Sequence, residues 1–373
     1  MIKVLIGDIF ESQADTLVNT VNCEGVMGKG IALDFKRRFP EMFKEYSAQC
    51  KEGEIKPGKL SLYQDLFQQK KIVNFPTKKH WRSPTLVKDI EDGLDYFIQH
   101  YKNWNITSVA FPPLGCGNGG LSWDAVGPLM YSKLKDLDIN VEIFAPFGTS
   151  REKITLDFLE KNIGSHTVKK GSFMRSSLQG GEVLILETLY RLQKRPYAKP
   201  IGRIMFQKAC YILTEAGAPT GLSFGKGTYG PYSPEVKHAI TILANNNLTS
   251  ETKYGNMLKT TVTDNYDKFR KDHIDFIESN EKYLKRAVDL LSRIKDTDQG
   301  EEVATVMHAV KNIKLDVGQK PLDGQVMAYI FDWKKEWGSN ENKRSSIAET
   351  ISNLSMLGWI NVSLTESTAG TTI

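Results

Sequence analysis

Several patterns that would assign this 373-residue sequence to a function class are missing or scarce. None of its four cysteines lies in CxxC spacing, which argues against a zinc site or a disulfide framework and favours a reducing, cytoplasmic environment. The six histidines show no metal-ligand spacing either, so we expect no metal site. No apolar run approaches the roughly 18 residues of a membrane-spanning helix, so we expect no membrane contact. The opening segment MIKVLIGDIF is typical of a first strand and not of a secretory signal.

Charge says little about partners. Residues 1–150 contain 18 Lys and Arg against 18 Asp and Glu, so the net charge of +5 belongs to residues 151–373. This excess is compatible with a nucleic acid nearby but is too mild to indicate one. The length and the 40% hydrophobic content are typical of a globular chain with two or three domains.

Strand and helix patterns alternate through the first 150 residues. The clearest helical pattern begins with Ser83 as N-cap and Pro84 at the first helical position. Another begins near Ile31 and restarts at Pro40. The alternation predicts an α/β sheet with helices on both faces. The first of these helices has one apolar face: Val87, Ile90, Leu94, Phe97 and Tyr101. Six short apolar segments predict strands: IKVLIGD, TLVNTVN, KLSLYQD, KKIVNFP, SVAFPPL and NVEIFAP.

The composition changes after residue 155. The stretch GSHTVKKGSFMRSSLQGG, residues 164–181, has no periodicity and few large apolar residues, so we place a linker at 156–180. Long helical patterns then dominate, which predicts a mostly α-helical second domain at 181–373. In it, Ser233 and Pro234 are expected to start a helix after a Gly- and Pro-rich turn. Two segments are strand-like, MLKTTVTD and WINVSL.

Two glycine-rich loops connect a strand to a helix in the first domain. The first, VNCEGVMGKGIA, spans residues 21–32, and the second, FPPLGCGNGG, spans residues 111–120. Glycines let an anion approach the free N–H groups of a helix N-terminus, so such a loop can bind a diphosphate. Taken alone, the first loop fits equally well a tight strand–helix connection, and it lacks the Walker A pattern. Two such loops at strand ends of one sheet favour opposite walls of one crevice.

These loops, with Gly7-Asp8-Ile9 before them and Ala145-Pro146-Phe147-Gly148 after them, resemble the macrodomain family over roughly the first 150 residues. The resemblance implies a three-layer α/β/α domain at residues 1–155 that binds ADP-ribose without a cofactor. Asp8 would bind the adenine with Ile9 beside it, Asn22 would contact the distal ribose, and Phe147 would stack near the adenine or its ribose. The implied contacts of the loops and of the strand before Lys78 are Gly28, Lys29, Gly30, Thr77, Pro113, Gly115, Cys116, Gly117 and Asn118.

The stretch NFPTKKHWR, residues 74–82, resembles one branch of the macrodomains. That branch contains the human terminal ADP-ribose protein glycohydrolase and bacterial antitoxins that remove ADP-ribose from thymidine in single-stranded DNA. Its members use a catalytic lysine after this strand, which implies Lys78, with Lys79 as the alternative. The human enzyme has an aspartate where this sequence has Gly119, so the lysine is expected to carry more of the chemistry.

The chemistry requires a neutral amine. A lysine can attack the electrophilic anomeric carbon of ADP-ribose only after losing its proton, and burial or a neighbouring cation such as Lys79 would promote that loss. A Lys-Lys pair taken alone favours surface charge, or the binding of phosphate or DNA, over catalysis. The following residues His80, Trp81 and Arg82 are possible DNA contacts, although Trp81 fits a core position equally well. Cys116 is expected to serve as a small loop residue and not as a nucleophile.

The segment GTYGPYSPEV, residues 227–236, resembles the turn of a helical antitoxin domain. The resemblance implies that the second domain binds and inhibits a cognate DarT-type ADP-ribosyltransferase toxin. The expected function is therefore a cytoplasmic antitoxin whose first domain hydrolyses ADP-ribosylated single-stranded DNA and releases ADP-ribose. The alternatives are a glycohydrolase acting on protein carboxylate esters and a non-catalytic ADP-ribose reader. For the second domain, the alternative is a generic helical domain that dimerises or binds something unrelated.

Overall fold

The computed structural model describes residues 1–64, 70–164, 178–196, 198–255, 257–317 and 320–363. Six strands of the first part form one sheet in the order β1-β6-β5-β2-β4-β3. Neighbouring strands are parallel except β3, which pairs antiparallel with β4 at the edge. The predicted mixed sheet is confirmed, and each predicted strand is present: β1 (Ile2–Leu5), β2 (Thr16–Asn22), β3 (Ser61–Gln64), β4 (Lys71–Lys78), β5 (Ser108–Phe111) and β6 (Asn140–Phe144).

Helices cover both faces of this sheet, as the alternation predicted. Successive residues of a strand point to opposite faces, so Val18 packs in one core and Leu17 in the other. The first core includes residues of α3 (Val87–His100), α4 (Trp123–Leu134) and α5 (Leu156–Lys161). The second core includes residues of α1 (Gly30–Arg38) and α2 (Pro40–Lys51). The result is the three-layer α/β/α arrangement expected for this part of the chain.

The predicted start of α3 is wrong. The helix begins at Val87 with Leu86 in the N-cap position, and not at Ser83 and Pro84. The preceding residues form a turn because Ser83 N donates to His80 O (3.0 Å) and Thr85 N donates to Gly119 O (3.1 Å). These bonds hold the backbone away from helical geometry until Leu86. The apolar face itself is confirmed, since its five residues are all at most 5% exposed.

The chain divides into two compact units. The first unit comprises residues 1–177 and 237–251, and the second comprises residues 178–236 and 252–373. Helix α8 (Glu235–Asn245) thus contributes most of its length to the first unit, although its sequence lies in the range expected for the second domain. The domain limits predicted at 155 and 181 stay a prediction. Helix α5 lies inside the range predicted as linker, and residues 165–177 of that range lie outside the described residues.

The second unit is mostly helical, as predicted. The segment expected to be a Gly- and Pro-rich turn contains a short hairpin, β7 (Gly225–Gly227) and β8 (Gly230–Tyr232), and α8 begins at Glu235, one residue later than expected. MLKTTVTD contains β10 (Met257–Val262), which pairs with β9 (Thr249–Tyr254), whereas WINVSL contributes only an isolated bridge between Ser363 and Leu322. Within the described residues, no helix combines the length and the apolar character needed to span a bilayer. The helices of this unit are α6 (Gly180–Gln193), α7 (Arg203–Glu215), α9 (Asn265–Lys271), α10 (Ile274–Ser279), α11 (Glu281–Arg293), α12 (Thr297–Val317), α13 (Asp323–Trp333), α14 (Lys335–Gly338) and α15 (Glu341–Met356).

Candidate functional site

The carboxyl ends of the parallel strands meet at one edge of the sheet, where ligands of open α/β sheets bind. Strand β2 ends there at Asn22, and its neighbour β4 ends at Lys78. The two residues are register partners across a bulge that follows Val21. The sheet therefore places the predicted ribose-binding residue beside the predicted catalytic residue.

The first glycine loop is held by the buried side chain of Asn22. Its Oδ1 accepts from Glu24 N (2.8 Å), and its Nδ2 donates to Val26 O (2.5 Å). Tyr46 of α2 donates its hydroxyl proton to the backbone oxygen of Asn22 (2.6 Å). Asn22 thus shapes the loop as well as lining the strand end. The loop leads into the N-terminus of α1, with Gly28, Lys29 and Gly30 all exposed.

The second glycine loop turns back on itself between β5 and α4. Leu121 N donates to Gly115 O (3.1 Å), and Gly120 N donates to Gly117 O (3.2 Å). Ser122 takes the N-cap position of α4, although its side chain makes no capping bond. Within this loop, Gly117 and Asn118 are exposed, whereas Gly119 is buried.

The position of Gly119 has no room for a side chain. A Cβ placed on it would lie 2.3 Å from Gly115 O and 2.3 Å from the Oγ1 atom of Thr85. Such distances are far inside van der Waals contact, so the fully buried Thr85 and the loop backbone fill the space next to this residue. The aspartate of the human glycohydrolase therefore has no equivalent here for a steric reason.

The two glycine loops face each other, as two walls of one crevice should. A Cβ placed on Gly30 of the first loop would lie 3.3 Å from the Asn118 Nδ2 atom of the second. Lys78 contacts the same residue of the second loop, because its Nζ donates to Asn118 O (2.9 Å). The structure thus brings the predicted loop residues and the predicted catalytic lysine together.

Burial separates the two lysines. Lys78 is the last residue of β4 and is only 8% exposed, whereas Lys79 lies beyond the strand and is exposed. The backbone oxygen of Lys79 accepts from Cys23 N (3.2 Å), which ties this turn to the first glycine loop. The buried Thr77 precedes them, with its Oγ1 directed at Val21 O (3.4 Å). Of the two lysines, Lys78 is therefore the buried one, with its amine bonded to the second glycine loop.

The three residues after Lys79 form one aromatic and cationic cluster. The rings of His80 and Trp81 stack with centroids 5.6 Å apart, and the Arg82 guanidinium carbon lies 4.3 Å from the Trp81 ring centroid. Trp81 is 45% exposed. This exposure decides between the two readings left open by the sequence, because Trp81 is not a core residue.

The predicted adenine contacts follow β1 and β6, which are neighbours in the sheet. Asp8 is exposed and accepts from Phe10 N (3.0 Å) at the start of a short 3-10 turn. Phe147 is 79% exposed after β6. Ile9, in contrast, is buried in the core beneath α1 and α2. Asp8 and Phe147 thus have exposed side chains, while Ile9 contributes a buried side chain below them.

The thiol of Cys116 is poorly suited to nucleophilic chemistry. Burial raises its pKa to about 12, so the reactive thiolate is scarce near neutral pH. Its Sγ contacts Leu114 O (3.7 Å). The backbone oxygen of Pro113, three residues before Cys116, accepts from Cys116 N (3.1 Å). These contacts agree with a structural place for Cys116 within the loop.

Known proteins are similar to the part of the chain that contains this site. The model of the Macro domain family matches residues 18–130, which run from β2 to α4 and include both glycine loops. The solved macrodomain of Mycobacterium tuberculosis DarG is 48% identical to this chain, covers 39% of it and is itself covered over 98% of its length, with a TM-score of 0.38. The chain is a member of the macrodomain family. The matched residues lie within its first compact unit.

Similarity also extends beyond the macrodomain. A protein of Mycobacterium tuberculosis named DNA ADP-ribosyl glycohydrolase is 41% identical over 250 residues, which cover 64% of this chain and 66% of that protein. This chain therefore spans slightly less than two thirds of that relative. A DNA ADP-ribosyl transferase–DNA ADP-ribosyl glycohydrolase fusion protein of Thermosipho africanus is 40% identical over 162 residues, which cover 39% of this chain and 42% of the fusion protein.

Thr85 is the site residue that sequence reasoning missed. It lies in the turn before α3, bonds the backbone of Gly119 and fills the space beside Gly115. No sequence signal marks it, because a lone threonine after Ser83 and Pro84 is read as part of a helix start.

Proposed function

We propose that this chain is a cytoplasmic antitoxin that removes ADP-ribose from thymidine in single-stranded DNA with its macrodomain. We further propose that its C-terminal part binds and inhibits a cognate DarT-type ADP-ribosyltransferase. The observation that carries the first proposal is the buried Lys78 amine, 2.9 Å from Asn118 O where the two glycine loops meet. The names of the mycobacterial relative and of the fusion protein support both proposals.

The position of Lys78 suits attack on a sugar carbon. The glycine loops would hold the diphosphate, since backbone N–H groups and the α1 N-terminus attract anions. The distal ribose would then lie between Asn22 and Lys78. The neutral Lys78 amine would form a bond to the anomeric carbon while the bond from that carbon to the thymine nitrogen breaks, and the base leaves with a proton. Water would then displace the lysine, which releases ADP-ribose and restores the amine.

The other groups nearby are less suited to this step. Gly119 occupies the position of the aspartate in the human enzyme and has no space for a carboxylate. The thiol of Cys116 is held in its protonated form by burial. These two observations favour the amine of Lys78 over these groups as the nucleophile.

The cluster of His80, Trp81 and Arg82 would hold the DNA. An exposed tryptophan beside a guanidinium offers a flat surface on which a base can stack, and such stacking contributes about 1–3 kcal/mol per base. Because the cluster directly follows Lys78 and Lys79, a stacked base would lie close to the reacting sugar. An amino acid side chain carrying ADP-ribose would offer no such base, which favours DNA over protein as the substrate.

The proposal for the second unit rests on the relatives and not on charge. From residue 181 onward the chain has 25 basic and 23 acidic residues, so a strongly acidic surface that imitates DNA is not evident from the composition. Toxin binding would then depend on shape and on local groups of this helical unit.

The mechanism is tested by trapping. A glycosylamine on Lys78 can open to an imine, which cyanoborohydride reduces to a stable adduct. We expect ADP-ribosylated thymidine oligonucleotide plus reductant to label Lys78, as located by mass spectrometry of peptides. Lys78→Ala should lower kcat by at least about 100-fold, whereas the matched variant Lys79→Ala should raise KM and leave kcat within about twofold. Labelling of Lys79 instead, or a folded Lys78→Ala protein with wild-type kcat, would reject Lys78 as the nucleophile.

The substrate is tested by offering two ADP-ribosylated molecules to the same protein. We expect release from a thymidine oligonucleotide and little release from a glutamate-linked peptide. Release from the peptide alone would reject the DNA substrate, and release from neither, with ADP-ribose still bound in calorimetry, would identify a reader.

Toxin binding is tested with the catalytically impaired full chain. Lys78→Ala should still co-purify with the DarT-type toxin and protect cells from it, because binding is assigned to the other unit. A folded Lys78→Ala chain that neither binds the toxin nor protects would contradict this part of the proposal.

A further inference from the structure

A side chain from far outside the matched macrodomain region reaches the catalytic part of the first unit. Asn245 is the last residue of α8. Its Oδ1 accepts from Val87 N (2.9 Å), and its Nδ2 donates to Thr85 O (3.1 Å) and to Thr241 O (2.9 Å). All four residues belong to the first compact unit. A single amide group therefore links the end of α8 to the turn before α3.

The first of these bonds caps α3 from outside. The first N–H groups of a helix have no partner within the helix, and a residue at the N-cap position normally supplies an oxygen. Leu86 occupies that position and has no side-chain oxygen. The side-chain oxygen of Asn245 accepts from Val87 N, which is the first of these free N–H groups.

The second bond fixes Thr85, which supports the glycine loop. Thr85 N donates to Gly119 O (3.1 Å), and its side chain fills the space beside Gly115 and Gly119. The residue before Gly119 is Asn118, whose backbone oxygen accepts the bond from Lys78 Nζ. A continuous series of contacts thus runs from Asn245 through Thr85 and the loop to the Lys78 amine.

A second residue of α8 supports the same loop. Thr241 is 1% exposed, and its Oγ1 lies 2.6 Å from the point where a Cβ on Gly120 would be. Gly120 has φ +82, a conformation that glycine adopts without strain. The loop is therefore backed at Gly120 by Thr241 and at Gly119 by Thr85, and Asn245 bonds the backbone of both of these threonines.

We propose that Asn245 is a positioning residue for the macrodomain reaction. Through Thr85 it holds the loop of residues 113–120 so that Asn118 O stays within bonding distance of the Lys78 amine. It does not touch the substrate itself. For the kinetic measurement this inference rests on the proposed function, whereas the position of the loop can be measured without it.

The structural part is tested by hydrogen exchange on the full chain. In Asn245→Ala we expect the amide of Val87 and the hydrogen-bonded loop amides of Cys116, Gly120 and Leu121 to exchange about 10-fold faster, as expected for the loss of bonds of this kind. Asn246→Ala is the matched control, since Asn246 directly follows α8 and its side-chain amide donates back to Ile242 O of that helix (3.0 Å). It should exchange at these positions like the wild type. Equal exchange of residues 113–121 in the two variants would overturn the proposal, whatever the activity.

The kinetic part separates positioning from capping. Asn245→Asp keeps an acceptor for Val87 N but loses the donation to Thr85 O. We expect wild-type protection of Val87 in this variant, and kcat about 10-fold below the wild type in both Asn245→Asp and Asn245→Ala, while Asn246→Ala keeps wild-type kcat. Full recovery of kcat in Asn245→Asp would overturn the route through Thr85. If the wild type released no ADP-ribose, the proposed function would fail while hydrogen exchange still tested the position of the loop.

Discussion

Replacing Gly119 with alanine tests whether the second glycine loop is packed as tightly as the structure shows. The added methyl group would lie 2.3 Å from both Gly115 O and Thr85 Oγ1, whereas ordinary contacts of a Cβ begin at 3.4 Å. At least one neighbour must therefore move by about 1 Å. Neither can do so easily, since Thr85 is fully buried and its backbone is bonded on both sides, to Gly119 O and to Asn245.

The magnitude follows from overpacking. Inserting a methyl group into a well-packed site costs about 1–3 kcal/mol of unfolding free energy. For a domain of this size, each kcal/mol lowers Tm by about 2–4 °C. We therefore expect Gly119→Ala to lower the Tm of the full chain by about 2–12 °C in calorimetry. Movement of Gly119 also displaces its neighbour Asn118, so we expect kcat to fall at least about tenfold, which corresponds to 1.4 kcal/mol.

Gly117→Ala is the matched comparison in the same loop. No atom lies within 4 Å of a Cβ placed on Gly117, so we expect its Tm to stay within about 1 °C of the wild type. If the open space beside Gly117 receives the diphosphate, the methyl group weakens ADP-ribose binding in calorimetry without destabilising the fold. A Gly119→Ala protein with wild-type Tm and wild-type ADP-ribose affinity would refute this account of the loop.

Two further predictions concern other parts of the chain. Glu187 of α6 is 1% exposed, and its carboxylate accepts hydrogen bonds from Arg191, Arg270 and Tyr266. Burial alone would raise the pKa of Glu187, but these bonds hold the pKa below the ordinary 4.5. Glu187→Gln should therefore destabilise the chain at pH 7 by about 3–5 kcal/mol in urea unfolding. The difference from the wild type should shrink as the pH falls below 4.5, because the stabilisation is lost once the native carboxylate is protonated. A difference that is constant from pH 7 to pH 3 would contradict this prediction. Burial raises the pKa of Cys116 to about 12, which predicts that iodoacetamide alkylates this thiol at pH 7.5 at least about 100-fold more slowly than a free cysteine. Mass spectrometry follows the reaction. Alkylation at the rate of a free thiol would show that burial does not control the reactivity of Cys116.

The elements that place the site could be predicted because their signals are local. Short apolar segments marked all six strands, and the three- and four-residue spacing marked the buried face of α3. Glycines marked both loops. The order of the strands was not readable from these signals, and the parallel pairing of β2 with β4 and β5 brings Asn22 and Lys78 together through tertiary contacts.

The missed features depend on contacts distant in sequence. The pattern of Ser83 and Pro84 correctly indicates a helix nearby, but the bond from Thr85 to Gly119 delays its start to Val87. The cap on that helix comes from Asn245, which no rule of neighbouring residues can identify. The sequence patterns also did not identify helices α12 and α15.

Packing or backbone conformation requires glycine at some positions of the two loops and does not require it at others. Gly119 is fixed by the atoms around it, and Gly120 by its left-handed backbone. Gly28 and Gly117 have neither constraint: a Cβ would meet only a Val26 methyl group at 3.9 Å in the first case and nothing within 4 Å in the second. Since packing and backbone conformation would both accept alanine there, the absence of side chains at these two exposed positions points to a ligand that approaches the backbone. One position lies in each loop, and the Lys78 amine bonds the second loop at Asn118 O, so the space that the fold leaves open is the space that a diphosphate beside the proposed catalytic amine would need.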